Sequence, residues 1–162
     1  MIYFDIFLNT LIYKTLLRDR SFHPRLSFYL RQWNAARLAG MRFRYFFHCH
    51  TPHALSRTTI ENFYSENPEL LEKNIAERFR TPEQYIMISL AIHLEINNGN
   101  RHFAKLDLGY FHPHYSKARM MRRMDKCKYN SGIRYVCAQN LDMFMPEERE
   151  RMFRWMDEVL GI

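Results

Sequence analysis

Three helix-start signals follow one another between residues 58 and 84, and they constrain this chain more than any other feature. Thr58 with Glu61 three residues later makes a capping box, Asn67-Pro68 puts an N-cap before a first-turn proline, and Thr81-Pro82-Glu83-Gln84 combines both devices. Each supplies partners for the backbone N–H groups that the first turn of a helix leaves open. The last of the three carries Tyr85, Ile86, Ile88, Ser89, Ile92 and Ile96 and runs into Asn97-Asn98-Gly99-Asn100, so it is expected to be a buried helix with a glycine stop.

The flanking segments mix two periods. Residues 1–8 read as a buried strand. From Ser21 to Gly40, Leu26, Tyr29, Leu30, Trp33, Ala36 and Arg37 recur at helical spacing, with Pro24 in the first turn and Gly40 as a stop. Arg42 to Phe47 then alternates as a strand and delivers His48-Cys49-His50 to its end. Phe103 to Phe111 is a strand or extended segment, and Pro113 to Lys126 a basic helix. Ile133 to Ala138 is expected as a short buried strand after the turn Asn130-Ser131-Gly132. A closing helix begins at Pro146 with Glu147 and Glu148 at its positive end and Met152, Phe153, Met156, Val159 and Leu160 as its apolar stripe. Helices outnumber strands, and the fold class is α/β, mostly helical with a thin sheet.

Nothing in the composition separates the 162 residues into independent parts. Glycine is scarce, there is no Ser/Gly-rich or Pro-rich linker, and 47% hydrophobic content can fill a core, so one domain over 1–162 is expected. Cys49, Cys127 and Cys137 are an odd set without a CxxC, which fits a reducing, cytoplasmic setting. The apolar opening is broken by Asp5, Asn9 and Lys14 before the roughly 20 residues a bilayer span needs, so neither an anchor nor a signal peptide is read there. A formal charge of +7 favours polyanions. No nucleic-acid-binding motif accompanies it, so specific nucleic-acid binding is not expected, and a basic RNA-binding module would rest on charge and aromatics alone. The run Lys117 to Arg123 reads by itself as a solvated helix face.

Chemistry concentrates in His48-Cys49-His50-Thr51-Pro52-His53, three imidazoles at a strand-to-loop edge. These side chains are competent zinc ligands, but structural zinc sites gather pairs from two separated turns, and His112-Pro113-His114 is not a recognised second pair.

The stretches His50-Thr51-Pro52-His53-Ala54-Leu55, Phe63 to Leu70 and Arg78-Phe79-Arg80-Thr81-Pro82-Glu83-Gln84 resemble the third conserved block of Stealth-type capsular polysaccharide phosphotransferases. That block is a His-x-Pro-His followed about thirty residues later by a basic-apolar-Arg triplet and an acidic helix start. Here His50 and Arg80 stand thirty positions apart. Residues 45–96 cover this block. Residues 133–160 resemble the fourth, with Gln139 and Asn140 where the family carries Asn-Asp and with Asp142 displaced by two. Of the second block, residues 1–20 retain only Ile2 to Leu8, with Asp5 left of an acidic pair, and the first block has no counterpart.

The resemblance implies the C-terminal portion of a Rossmann-like Stealth fold. It implies transfer of a sugar-1-phosphate from a nucleotide-sugar donor of UDP-hexose type to the hydroxyl of a glycan acceptor, in capsule or exopolysaccharide synthesis. His50 would act as base or proton relay, Arg80 would grip phosphoryl oxygens, Arg78, His53 and Asn140 would support substrate binding, and Asp5 would be the metal ligand. Mg2+ or Mn2+ and no organic cofactor are expected. Partners include a separate N-terminal half of the enzyme, and the location is cytoplasmic, at the inner membrane surface. The competing expectation is a non-catalytic truncated paralogue. For Arg80 the plainer expectation is an ion pair with Glu77 or Glu83.

Overall fold

The computed structural model describes residues 3–5, 24–48, 50–81, 83–102 and 107–161. The chain divides into two compact units, one comprising Met1–His48 and His53–Phe103, the other Cys49–Pro52 and Ala104–Ile162. Among the described residues helices dominate and each unit holds one two-stranded sheet, an α/β composition that is mostly helical. Among the described residues no helix is long and apolar enough to cross a membrane.

The first unit pairs β1 (Tyr3–Asp5) antiparallel with β2 (Arg44–Phe46) and contains helices α1 (Pro24–Leu38), α2 (Arg57–Glu66), α3 (Pro68–Ile75) and α4 (Met87–Asn97), with α1 packed against β2 and α4. Ala35, Ala36 and Ala39 make one face of α1 small, so its backbone approaches close to its neighbours. Ala35 and Ala39 pack with Tyr85, Leu90, Phe63, Tyr64 and Leu94, and Ala36 with Tyr45, Trp33, Met41 and Phe47. Gly40 ends α1 at φ +86°, a left-handed turn that costs a residue without Cβ nothing, and Met41 N–H returns to Ala36 O at 2.9 Å.

Two helix starts differ from those expected from the sequence. Helix α2 is capped by Ser56, whose Oγ accepts from Thr59 N–H at 3.2 Å, so Thr58 lies inside the first turn and Glu61 pairs with Arg57 at 2.7 Å. The expected start at Thr81 forms half of its capping box, Thr81 N–H donating to Gln84 Oε1 at 2.9 Å, yet no helix follows until Met87. The cause is Asn74: its Oδ1 accepts Tyr85 N–H at 2.9 Å and its Nδ2 donates to Tyr85 O at 3.3 Å, which takes both backbone groups away from a helical ladder. Asn34 Nδ2 donating to Gln84 O and Ile86 N–H donating to Arg31 O hold the same segment extended.

Buried faces also rotate from their expected positions. In α4 the buried residues are Ser89, Leu90, Ala91, His93 and Ile96, while Ile88 is exposed. In α1, Tyr29 and Arg37 are exposed and Arg31 and Gln32 are buried.

The second unit is a β-α-β arrangement: β3 (Asp107–Phe111), helix α5 (Lys117–Tyr129) and β4 (Ile133–Ala138), the strands parallel with Phe111 opposite Ala138, followed by α6 (Pro146–Leu160). Phe111, Met120, Met124, Phe144, Met152 and Trp155 form its core. Contact between α5 and β3 is close at Gly109, where a Cβ would stand 2.5 Å from Cys127 Sγ. Strand β4 is not the buried strand expected, since Tyr135 and Val136 are exposed, and in α6 the interior takes Met152 and Trp155 while Phe153 and Val159 face solvent. Cys127 and Cys137 are free thiols, and burial pushes both thiol pKa values up.

Candidate functional site

His50 belongs to the second unit, and its ring stacks on that of Tyr110 with centroids 5.3 Å apart and planes 7° from parallel. Tyr110 is the penultimate residue of β3. Its hydroxyl donates to Oε1 of Gln139, the first residue beyond β4, and Gln139 N–H donates to Phe111 O at 3.0 Å. The residues carrying the third-block and fourth-block resemblances therefore meet on one tyrosine. They do so at the carboxyl ends of two parallel strands, where open α/β sheets place their ligands. His50 keeps an exposed edge, and the desolvation of its packed face holds its pKa below the ordinary imidazole value.

A second ring of groups surrounds Tyr110. His112 and Tyr115 lie 6.3 and 6.4 Å from it by ring centroid, and His112 and His114 are 4.8 Å apart. Ser116 caps α5 by accepting from Arg119 N–H at 3.3 Å. The guanidinium carbons of Arg119 and Arg123 stand 4.1 and 5.1 Å from the Tyr115 ring centroid, and Arg123 Nη1 donates to Tyr110 O at 3.3 Å. The site thus offers a neutral imidazole, a tyrosine that orients it, an amide and two positioned guanidinium groups: a proton acceptor beside donors suited to phosphoryl oxygens.

Asn140, next in the chain, is exposed and left-handed at φ 53°, and its carbonyl accepts Met143 N–H in the short turn Leu141–Met143. Arg78 and Arg80 lie in the first unit and are exposed. Arg78 sits 5.3 Å from the ring centroid of Phe79. Among the described residues Arg80 forms no ion pair with Glu77 or Glu83; the charge it exerts is felt instead by Arg31, whose pKa is lowered first by burial and then by Arg80.

His53 is in the first unit and meets His48 edge to face, centroids 4.9 Å apart at 80°. His48 is held through its backbone: Gln32 Oε1 accepts His48 N–H and Gln32 Nε2 donates to His48 O, both at 3.1 Å. His53 thus touches the structural member of the histidine cluster. Asp5 pairs with Arg44 in the β1–β2 register, and its side chain lies outside the described residues, as does Cys49. Among the described residues no three His, Cys, Asp or Glu side chains gather to hold a metal ion.

Sequence reasoning missed Tyr110, Tyr115 and the guanidinium pair. A signal existed in Gly109-Tyr110-Phe111-His112, a strand end four residues before the helix-capping Ser116. It carries weight only once β3 and β4 are known to be parallel neighbours. His93 was missed too. Its Nε2 accepts Phe46 N–H at 2.9 Å and its Nδ1–H donates to Ser89 O at 2.5 Å, which fixes the neutral tautomer deep in the first unit.

No family model, curated protein or solved structure matches this chain.

Proposed function

We propose that this chain supplies the imidazole-bearing, C-terminal part of a Stealth-type transferase, moving a sugar-1-phosphate from a UDP-hexose donor to a glycan hydroxyl. The β3-α5-β4 unit is then one element of a Rossmann-like catalytic fold. What carries the reading is the stack of His50 on Tyr110 and the bond from Tyr110 to Gln139, which unite in one unit two stretches that resemble different blocks of that family.

In the proposed reaction, the neutral His50 takes the proton of the acceptor hydroxyl as its oxygen bonds to the phosphorus next to the sugar. The bond from that phosphorus to the bridging oxygen breaks, and UMP leaves with the electron pair. A base with a pKa held below 6.5 is already unprotonated at neutral pH. Tyr110 orients the ring. Arg80 and Arg78 receive their phosphate role from the motif, His53 orients the loop through His48, and Asn140 binds substrate beside Gln139. The same resemblance gives Mg2+ or Mn2+ as the metal and Asp5, whose side chain lies outside the described residues, as its ligand. A cytoplasmic setting at the inner membrane surface, where nucleotide sugars and glycan acceptors meet, follows from the same reading.

The test is UMP release from a UDP-hexose in the presence of Mg2+, a glycan acceptor and a chain bearing the family's first two blocks. His50→Ala and Arg80→Ala are each expected to slow release by about a hundredfold or more. Release that neither change affects removes the assignment. The amides Gln139 and Asn140 in place of Asn-Asp favour a second reading, a non-catalytic paralogue, which would bind UDP-sugar without ever releasing UMP.

A further inference from the structure

Arg119, Arg122, Arg123 and Lys126 follow i, i+3, i+4, i+7 spacing along α5, which puts them on one stripe. The helix interior is Met120 and Met124, and the stripe lies to one side of it. Lys117, Asp125 and Lys128 fall outside the stripe, and Lys128 is tied to Glu158. Among the described residues none of the four stripe cations forms an ion pair. Its head is ordered, with Arg119 and Arg123 over the Tyr115 ring and Arg123 bonded to Tyr110 O. Through Arg123 the stripe reaches the backbone of Tyr110, on whose ring His50 stacks, and from Arg119 to Lys126 it extends about 10 Å along the helix, from the rise per residue. Like charges at these spacings repel, so a ligand that repeats a negative charge is attracted to the whole row.

We propose that this stripe binds an acceptor glycan that already carries phosphodiester linkages. The inference rests on the transferase reading above: each transfer converts a hydroxyl into a phosphodiester, so the product gains one negative charge at the end beside His50. The α5 stripe, bonded to the backbone of Tyr110 through Arg123, would retain the growing chain between transfers. Single-stranded RNA is the less suitable occupant, because it needs an open aromatic face on which to stack, and at the head of this stripe the guanidinium groups occupy the Tyr115 ring.

Binding is measured on the full chain without donor, by fluorescence anisotropy across a range of salt. The probes are a short glycan of hexoses joined by phosphodiesters, its glycosidically linked uncharged counterpart, and polyuridylate. The phosphodiester glycan is expected to bind and the uncharged one not. The double change Arg119→Gln/Arg122→Gln should weaken binding roughly tenfold and flatten the salt slope by roughly 0.7 per lost phosphate contact. Arg154→Gln, which removes a charge from exposed α6, should leave affinity unchanged. Equal binding of the uncharged glycan, an unaffected double variant, or tighter binding of polyuridylate each overturns the proposal. Because no turnover is involved, failed binding with UMP release intact sinks the stripe alone, and lost UMP release with binding intact concerns only the transferase reading.

Discussion

The ring of His50 lies parallel to that of Tyr110 at 5.3 Å, and the same tyrosine bonds through its hydroxyl to Gln139. The packed face of the imidazole is shielded from solvent, and that desolvation lowers the His50 pKa.

Replacing Tyr110 by alanine should expose that face. Desolvation disfavours the imidazolium, so restored solvent raises the His50 pKa toward 6.5 and moves the acid limb of any His50-dependent rate to higher pH. Titration of the His50 ring protons by NMR reads this without turnover. Tyr110→Phe keeps the stack, so its His50 pKa should stay near that of the wild type while the bond to Gln139 is lost. An unmoved pKa in Tyr110→Ala would show that the stack does not set it.

His93 makes folding stability depend on pH. It is buried and neutral, and burial holds its pKa below the unfolded value of about 6.5, despite the opposing bond to Ser89 O. Below 6.5 the unfolded chain binds the proton and the folded chain does not, so stability is complete above that pH and falls as pH drops toward the folded pKa. His50 contributes with the same sign. Urea midpoints measured across this window should fall with acid, and His93→Gln should flatten the fall. The variant should also lose about 1–3 kcal/mol at neutral pH, as Phe46 N–H loses its acceptor.

Gly109→Ala would place a methyl group 2.5 Å from Cys127 Sγ and 3.3 Å from Val136 Cγ2. Overpacking of this kind costs about 1–3 kcal/mol, with α5 forced away from β3. Adding Cys127→Ala should recover much of that loss in a double-mutant cycle. Additive destabilisation in chemical denaturation would show that the sulfur is not the obstacle.

Asn74→Ala leaves Tyr85 N–H and C=O without the amide that pairs them, and leaves in place the bond from Thr81 N–H to Gln84 Oε1. A loss of about 1–2 kcal/mol is expected. Amide hydrogen exchange should quicken over residues 81–86, the segment that follows Arg80. Exchange unchanged at Tyr85 would mean the segment is held by packing instead.

Much of this chain is written locally. Pro24 and Gly40 bound α1, Pro68 opens α3, Pro146 with Glu147 and Glu148 opens α6, and Asn130-Ser131-Gly132 turns into β4, because caps and turns depend on groups a few residues apart. The mixture of many helices with few strands was legible for the same reason. Tertiary contacts decided what depends on partners distant in sequence. Asn74 holds the backbone of Tyr85 out of a helix against a strong local helix signal, and Gln32 grips the backbone of His48. In both cases an amide side chain far away in sequence supplies the hydrogen bonds to a backbone N–H and C=O. The candidate site is of the same kind: His50 was recognisable from its motif. Tyr110 became its partner only because two parallel strands, separated by a helix, bring their carboxyl ends together, and no local rule of sequence encodes that pairing.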